Sequence, residues 1–327
     1  MANADQIRAL LKSHISQDDD QFYTVMLQVA ANEAQKGHRQ FAIELKDIID
    51  KYKNAPERII TSKGPIPIAQ PKGELSSLLS VSYPVIRMAD MVTSDTTVNR
   101  LKKVLKENRH ISKIKSYGLD SRRKLLLVGP PGCGKTMSAS IIAGELGIPL
   151  FSIRLDGLLN KFLGETNQKL RLVFDAIKET RGVFLFDEFD SLGSNRAFLN
   201  DVGEIKRVLN SFLIFLEQDN SNSIIVAATN FPESLDKALF RRFDDIIDFE
   251  LPNQTQIREL ISKRLETKII KTTGINTLLK NMVGLNYGEI AAICNDIKKE
   301  LLLEGESSID KERVLTLVKE KSIYKQK

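Results

Sequence analysis

Cysteine is nearly absent: Cys133 and Cys294 are the only two in 327 residues. So small and widely spaced a set suggests neither a disulfide framework nor a cysteine-based zinc site. Histidine is scarce as well, with single residues at 14, 38 and 110. None belongs to a His-Glu-x-x-His pair, which excludes a built-in metalloprotease of that type. No apolar run approaches the roughly 20 residues of a membrane-spanning helix. The opening Met1-Ala2-Asn3-Ala4-Asp5 is polar and unlike a signal peptide, so the expected location is the cytoplasm. Internal repeats and low-complexity tracts are missing. Excess charge is small: 48 Lys+Arg against 42 Asp+Glu leave +6, too little on its own to point to nucleic acid.

What is present begins with one stretch, Leu125-Leu126-Leu127-Val128-Gly129-Pro130-Pro131-Gly132-Cys133-Gly134-Lys135-Thr136. Four apolar residues suit a buried strand, and Met137 to Ala143 suit a helix, with a G-x-x-x-x-G-K-T loop between them. Glycines let successive backbone N–H groups converge on phosphate oxygens, and a following helix start adds partial positive charge. Lys135 can reach the outer phosphates, and the Thr136 hydroxyl can hold Mg²⁺. An ordinary Gly-rich turn is the bland alternative, but the strand before and the helix after argue for nucleotide.

Downstream, Val183-Phe184-Leu185-Phe186 reads as a second buried strand ending in Asp187-Glu188, with Phe189-Asp190 behind it. Asp187 is placed to support Mg²⁺, directly or through water, and Glu188 to polarise the water that attacks a γ-phosphate. A third apolar strand, Ser223 to Thr229, ends in Asn230. That amide either orients the attacking water and senses the γ-phosphate or simply caps the strand. Leu235 to Asp244 then presents the adjacent pair Arg241-Arg242 after a short helix. Such a pair is either a surface feature or, supplied to a neighbouring copy, a neutraliser of transition-state charge.

These segments, GPPGCGKT, FLFDEFD, AATN, LDKALFRRFD and the late GLNYGEI, stand in an order that resembles the AAA+ ATPases. The resemblance covers roughly residues 85–325. It is to the subgroup containing katanin- and spastin-like remodellers and the membrane-bound AAA proteases. It implies an α/β fold: a parallel P-loop sheet over 75–252, an α-helical lid over 253–327 and ATP with Mg²⁺ as cofactors. Pro131, Gly132, Cys133, Gly134, Lys135, Thr136 and Met137 then surround the nucleotide, with Thr136 and Asp187 on the metal. By the same resemblance Asn230 is a sensor, Arg241 and Arg242 are arginine fingers, Ala89 and Asp90 line the adenine pocket, and Gly288 and Glu289 belong to the lid over the nucleotide. Two departures stand out. The arginines are adjacent, as in the severing branch, and Tyr287 replaces a glycine common in the lid motif. No arginine lies between Gly284 and Ile297, which argues against the DNA-directed branches.

The resemblance further implies a ring, expected to be a hexamer, that threads protein through its pore. Lys161, Phe162 and Leu163, followed by Gly164-Glu165, fall where the first pore loop grips polypeptide, and 194–198 where a second would lie. An aromatic ring grips many sequences alike. The alternative is that Phe162 packs in its own core. Residues 1–55 read as three amphipathic helices, either a packing module or a docking domain for an adaptor or separately encoded peptidase. Residues 56–74, rich in proline and glycine, read as a linker. The basic run from Arg100 to Lys124 is a solvated helix face, or else faces a neighbour's nucleotide or an acidic partner. Two rival functions remain at this point: a nucleotide-switched scaffold, and a DNA-remodelling ATPase. No membrane association is expected.

Overall fold

The computed structural model describes residue 8 and residues 19–53, 73–158, 163–190, 202–265, 275–304, 312–313 and 316–318. The chain divides into two compact units, Met1–Ile66 and Pro67–Lys327. In the first, α1 (Asp19–Gln35) and α2 (Arg39–Lys53) pack together as a helical pair. Gly37, at φ +93°, turns the chain between them. Val29, Ala30, Ala42 and Ile49 form their buried seam. The first of the three expected helices, and the linker up to residue 72, lie outside the described residues.

The second unit is built on a six-stranded sheet in the order β1-β3-β4-β5-β2-β6. The strands are β1 (Leu79–Ser82), β2 (Lys124–Val128), β3 (Leu150–Ile153), β4 (Val183–Phe186), β5 (Ile224–Thr229) and β6 (Asp245–Asp248). Every pairing is parallel except β1 with β3. The parallel sheet expected from sequence is present, with one antiparallel strand added at its edge. There, Leu79-Ser80-Val81-Ser82 runs antiparallel to β3, with Leu79 opposite Ile153. β4 and β5 are buried along their whole length, as parallel strands covered on both faces must be.

Side chains alternate between two cores. Leu125, Leu127, Val183, Leu185, Val226 and Ala228 face one; Leu126, Val128, Phe184, Phe186, Ile225 and Ala227 face the other. The second face is covered by α5 (Leu163–Glu179) and α6 (Val202–Gln218). There, the Phe186 and Phe212 rings meet edge-on at 5.1 Å. Over the first face lie α3 (Asp95–Arg109) and α4 (Lys135–Leu146). That core runs on without a break into α7 (Gln254–Arg264), α8 (Ile275–Met282) and α9 (Tyr287–Glu304), the helical lid.

Lys102, Lys103, Lys106, Lys113 and Lys115 of the basic run are exposed, as on a solvated helix face, while its arginines do more. Each of its arginines is engaged inside the chain: Arg100 with Asp245, Arg109 with Glu145, Arg122 with Glu107 and Arg123 with Asp219. These pairs fasten α3 and the start of β2 to the sheet and helices around them.

Candidate active site

In the sheet order, β4, β5 and β2 are neighbours. Their C-terminal ends therefore deliver Asp187, Asn230 and the glycine loop to one edge, where open α/β sheets place their ligands. The loop follows its strand because of a close backbone approach. Gly129 sits at φ +146°, and a Cβ there would stand 2.1 Å from the Phe249 carbonyl oxygen. No other residue fits. Beyond the loop, α4 opens with its N-terminus toward the edge.

Lys135 is almost wholly buried, and its Nζ donates to Gly129 O at 2.6 Å, Pro130 O at 2.9 Å and Asn230 Oδ1 at 2.8 Å. Burial pushes its ammonium below the usual lysine range, while the nearby charges of Asp187 and Asp190 pull the other way. One residue on, Thr136 Oγ1 donates to Asp187 Oδ2 at 2.6 Å. This is a pair of hard oxygen ligands, of the kind that holds Mg²⁺ together with substrate phosphates and water. The donor set thus fits the metal. Glu188 follows in the left-handed region at φ +50°, its N–H donating to Asp187 Oδ1 at 3.0 Å. A non-glycine residue held there carries strain on the order of 1–3 kcal/mol and characteristically marks a functional position.

Lys135, Thr136, Asp187, Glu188 and Asn230 share one cleft of about 400 Å³, a size suited to a small-molecule ligand. Of the remaining expected residues, Asp90, Pro131, Gly132, Gly134, Met137 and Gly288 also line it. Three do not. Ala89 turns its carbonyl to Lys263 Nζ of α7 at 3.0 Å. The Cys133 side chain is buried in the core instead. Glu289 is a helix cap: its Oε2 accepts from Asn286 N at 2.7 Å while Asn286 Oδ1 accepts from Glu289 N at 2.8 Å.

The far end of the cleft is lined by apolar side chains and one arginine, and sequence reasoning missed most of it. Leu260 with Arg264 on α7, and Tyr287 with Ala291 on α9, contribute as i,i+4 pairs, alongside Val92. No motif marks these positions. The usable signal is that Arg264 continues the apolar stripe of α7 one turn beyond Leu260. Tyr287 is buried in that wall, and its burial raises the phenol to about 12. The lid meets the loop directly: Gly288 N donates to Gly132 O at 3.1 Å. A Cβ on Gly132 would stand 2.5 Å from Asn286 Oδ1.

Arg241 and Arg242 follow a one-turn helix, Lys237–Phe240, capped by Asp236. Both are exposed and neither lines this chain's cleft. Arg242 pairs with Glu217 of α6 at 2.8 Å. Lys161 and Phe162 lie outside the described residues, as does 194–198; Leu163 is the first residue of α5.

A parallel sheet with a phosphate loop, a strand-end Asp-Glu and a lid helix over the cleft defines a P-loop nucleoside triphosphatase. Comparison with known proteins narrows the class. Residues 125–251 match the model of the ATPase family associated with various cellular activities (AAA). An uncharacterized AAA family ATPase, y4kL of Sinorhizobium fredii, is 31% identical over 310 residues, 94% of this chain and 92% of that one. The ATP-dependent zinc metalloprotease FtsH of Parabacteroides distasonis is 35% identical over 202 residues, 59% of this chain but only 30% of that protein. Among solved structures, the FIGL-1 AAA domain superposes with a TM-score of 0.58 at 20% identity, over 75% of this chain and 86% of that one, a likeness of fold. The chain belongs to the AAA family of ATPases. It hydrolyses ATP, and its relatives include AAA proteins that act on other proteins.

Proposed function

We propose that the protein is a Mg²⁺-dependent ATPase that assembles into a ring, expected to be a hexamer, and uses ATP turnover to move protein substrates through the pore. The observation that carries this reading is the division of the machinery. Five polar groups converge in one cleft, while the two exposed arginines stand outside it, Arg242 held only by a solvent-exposed pair with Glu217.

Within the cleft, Lys135 binds the outer phosphates, exchanging its loop carbonyls for phosphate oxygens. Thr136 and Asp187 would hold Mg²⁺, which supplies charge neutralisation and orientation of the phosphate chain. Glu188 accepts a proton from the attacking water, whose oxygen bonds to the γ-phosphorus as the bond to the ADP oxygen breaks. Asn230 positions that water against the γ-phosphate. Arg241 or Arg242 of the next subunit meets the charge that develops on it.

Asp90, Val92, Leu260 and Tyr287 receive the adenosine end, and the lid, joined to Gly132, reports what is bound. Residues 161–163 are the segment assigned to substrate grip, and residues 1–55 to docking of an adaptor or a separately encoded peptidase. Nucleic acid is not the favoured partner, since the lid has no arginine between Gly284 and Ile297 and the arginines of the basic run are engaged within the chain.

Glu188→Gln keeps the shape of the site and removes the base. It should retain ATP binding, abolish turnover and, with ATP and Mg²⁺, sediment as a stable oligomer. Wild-type turnover in that variant contradicts the assignment of Glu188. A monomer at all protein concentrations contradicts the ring.

A further inference from the structure

Asp190 closes the acidic strand-end segment, yet no step above uses it. Its side chain is only 8% exposed, and a buried carboxylate is costly unless its oxygens are engaged. Here a single oxygen takes both hydrogen bonds: Oδ1 accepts from Thr229 Oγ1 at 3.1 Å and from Asn230 N at 3.3 Å. The Thr229 hydroxyl, donating to Asp190, in turn accepts from Phe231 N at 3.1 Å. Just before Asp190, Phe189 N donates to Ala228 O at 2.8 Å. Residues 228, 229 and 230 at the end of β5 are thereby bonded to the two residues that follow Glu188, and Phe231 is tied back to Thr229.

Asn230 lies in the middle of that seam, and its side-chain Oδ1 accepts from Lys135 Nζ at 2.8 Å. Its backbone has already left the sheet, because β5 ends at Thr229. Without an acceptor for its N–H, the first residue past a strand is free to turn, and its amide would turn with it. We infer that Asp190 is a positioning residue for hydrolysis. By clamping Thr229 and the Asn230 peptide, it fixes the Asn230 amide against the γ-phosphate and its attacking water, in register with Glu188 two residues away. It touches no substrate, and its effect passes through Asn230. The inference rests on the proposed role of Asn230 in the cleft.

Because a single oxygen takes both hydrogen bonds, the carbonyl of an asparagine can take them too, whereas alanine cannot. Misplacing a reacting group by about 1 Å can cost roughly 100-fold in rate. Steady-state ATPase assays on D190A, D190N and N230A, each checked for an intact melting transition, test the role. D190A should lower kcat on the order of tenfold or more with KM for ATP changed by less than about threefold, and D190N should recover most of the loss. A merely structural clamp would lower the melting temperature while leaving kcat of the folded fraction alone. Should D190A fail to fold, Thr229→Val, which removes the bridging hydroxyl, carries the same expectation. Wild-type kcat in folded D190A or Thr229→Val, with N230A inactive, overturns the positioning role. Wild-type kcat in N230A overturns the reading of Asn230, and the positioning role with it.

Discussion

Lys135 illustrates how little of a site is side-chain chemistry alone. An ammonium this buried would lose its proton readily, but two loop carbonyls and the Asn230 amide surround it with acceptors. The glycine loop therefore stores the lysine on the same backbone that it presents to phosphate. Cys294 shows the opposite case, an ionisable group with no polar work. Packed on α9 in the lid core, its thiol is raised to about 11 by burial. The unfolded chain then loses this proton first as pH rises. Stability from the group is intact below pH 9.0, the ordinary value, and is lost as pH climbs toward about 11. We expect native protein at pH 8 to resist thiol reagents at Cys294 until denaturant is added, because both cysteines are buried and this one is protonated. Rapid stoichiometric labelling of Cys294 in the folded protein would contradict that picture.

At the level of elements, the sheet order does the positioning, and its margins are held by ion pairs. Arg123, at the start of β2, reaches Asp219 just past α6, whose side chain is fully buried. Asp219 also accepts from Ser221 N and Oγ. Removing one member of a buried pair strands the other, at a cost of about 3–5 kcal/mol. Asp219→Ala should therefore lower the urea midpoint of the ATPase unit markedly; a midpoint within error of wild type would show that water satisfies Arg123. The inner strands β2, β4 and β5 were legible because each is a short apolar run bounded by turn residues. β1 and β6 were not. Leu-Ser-Val-Ser and Asp-Ile-Ile-Asp are short and half polar, the signature of edges that face solvent on one side. The phosphate and acid-base half of the cleft was legible because local chemistry dictates residue type and spacing there. The lid half was not, since Leu260, Arg264 and Ala291 meet only after two lid helices pack, which no local pattern encodes. Glu289 sits in the lid as expected, but its carboxylate is spent on the helix start, where an acidic residue three positions after an asparagine closes a capping box.

Taken whole, the chain carries a nearly complete catalytic cleft and a pair of arginines that its own cleft does not use. The relative spanning almost the same length, y4kL, is an AAA family ATPase, whereas FtsH extends far beyond the region shared with this chain. If subunits complete one another, two individually dead variants can rescue each other. Arg241→Ala combined with Arg242→Ala retains its own loop but offers no finger; Lys135→Ala offers the finger but binds no phosphate. ATPase activity of the two purified variants mixed at varying ratios, with co-assembly verified, is the most direct measurement. The account predicts little turnover for either alone and a maximum at intermediate ratios. Co-assembled mixtures no more active than their separate components would contradict it.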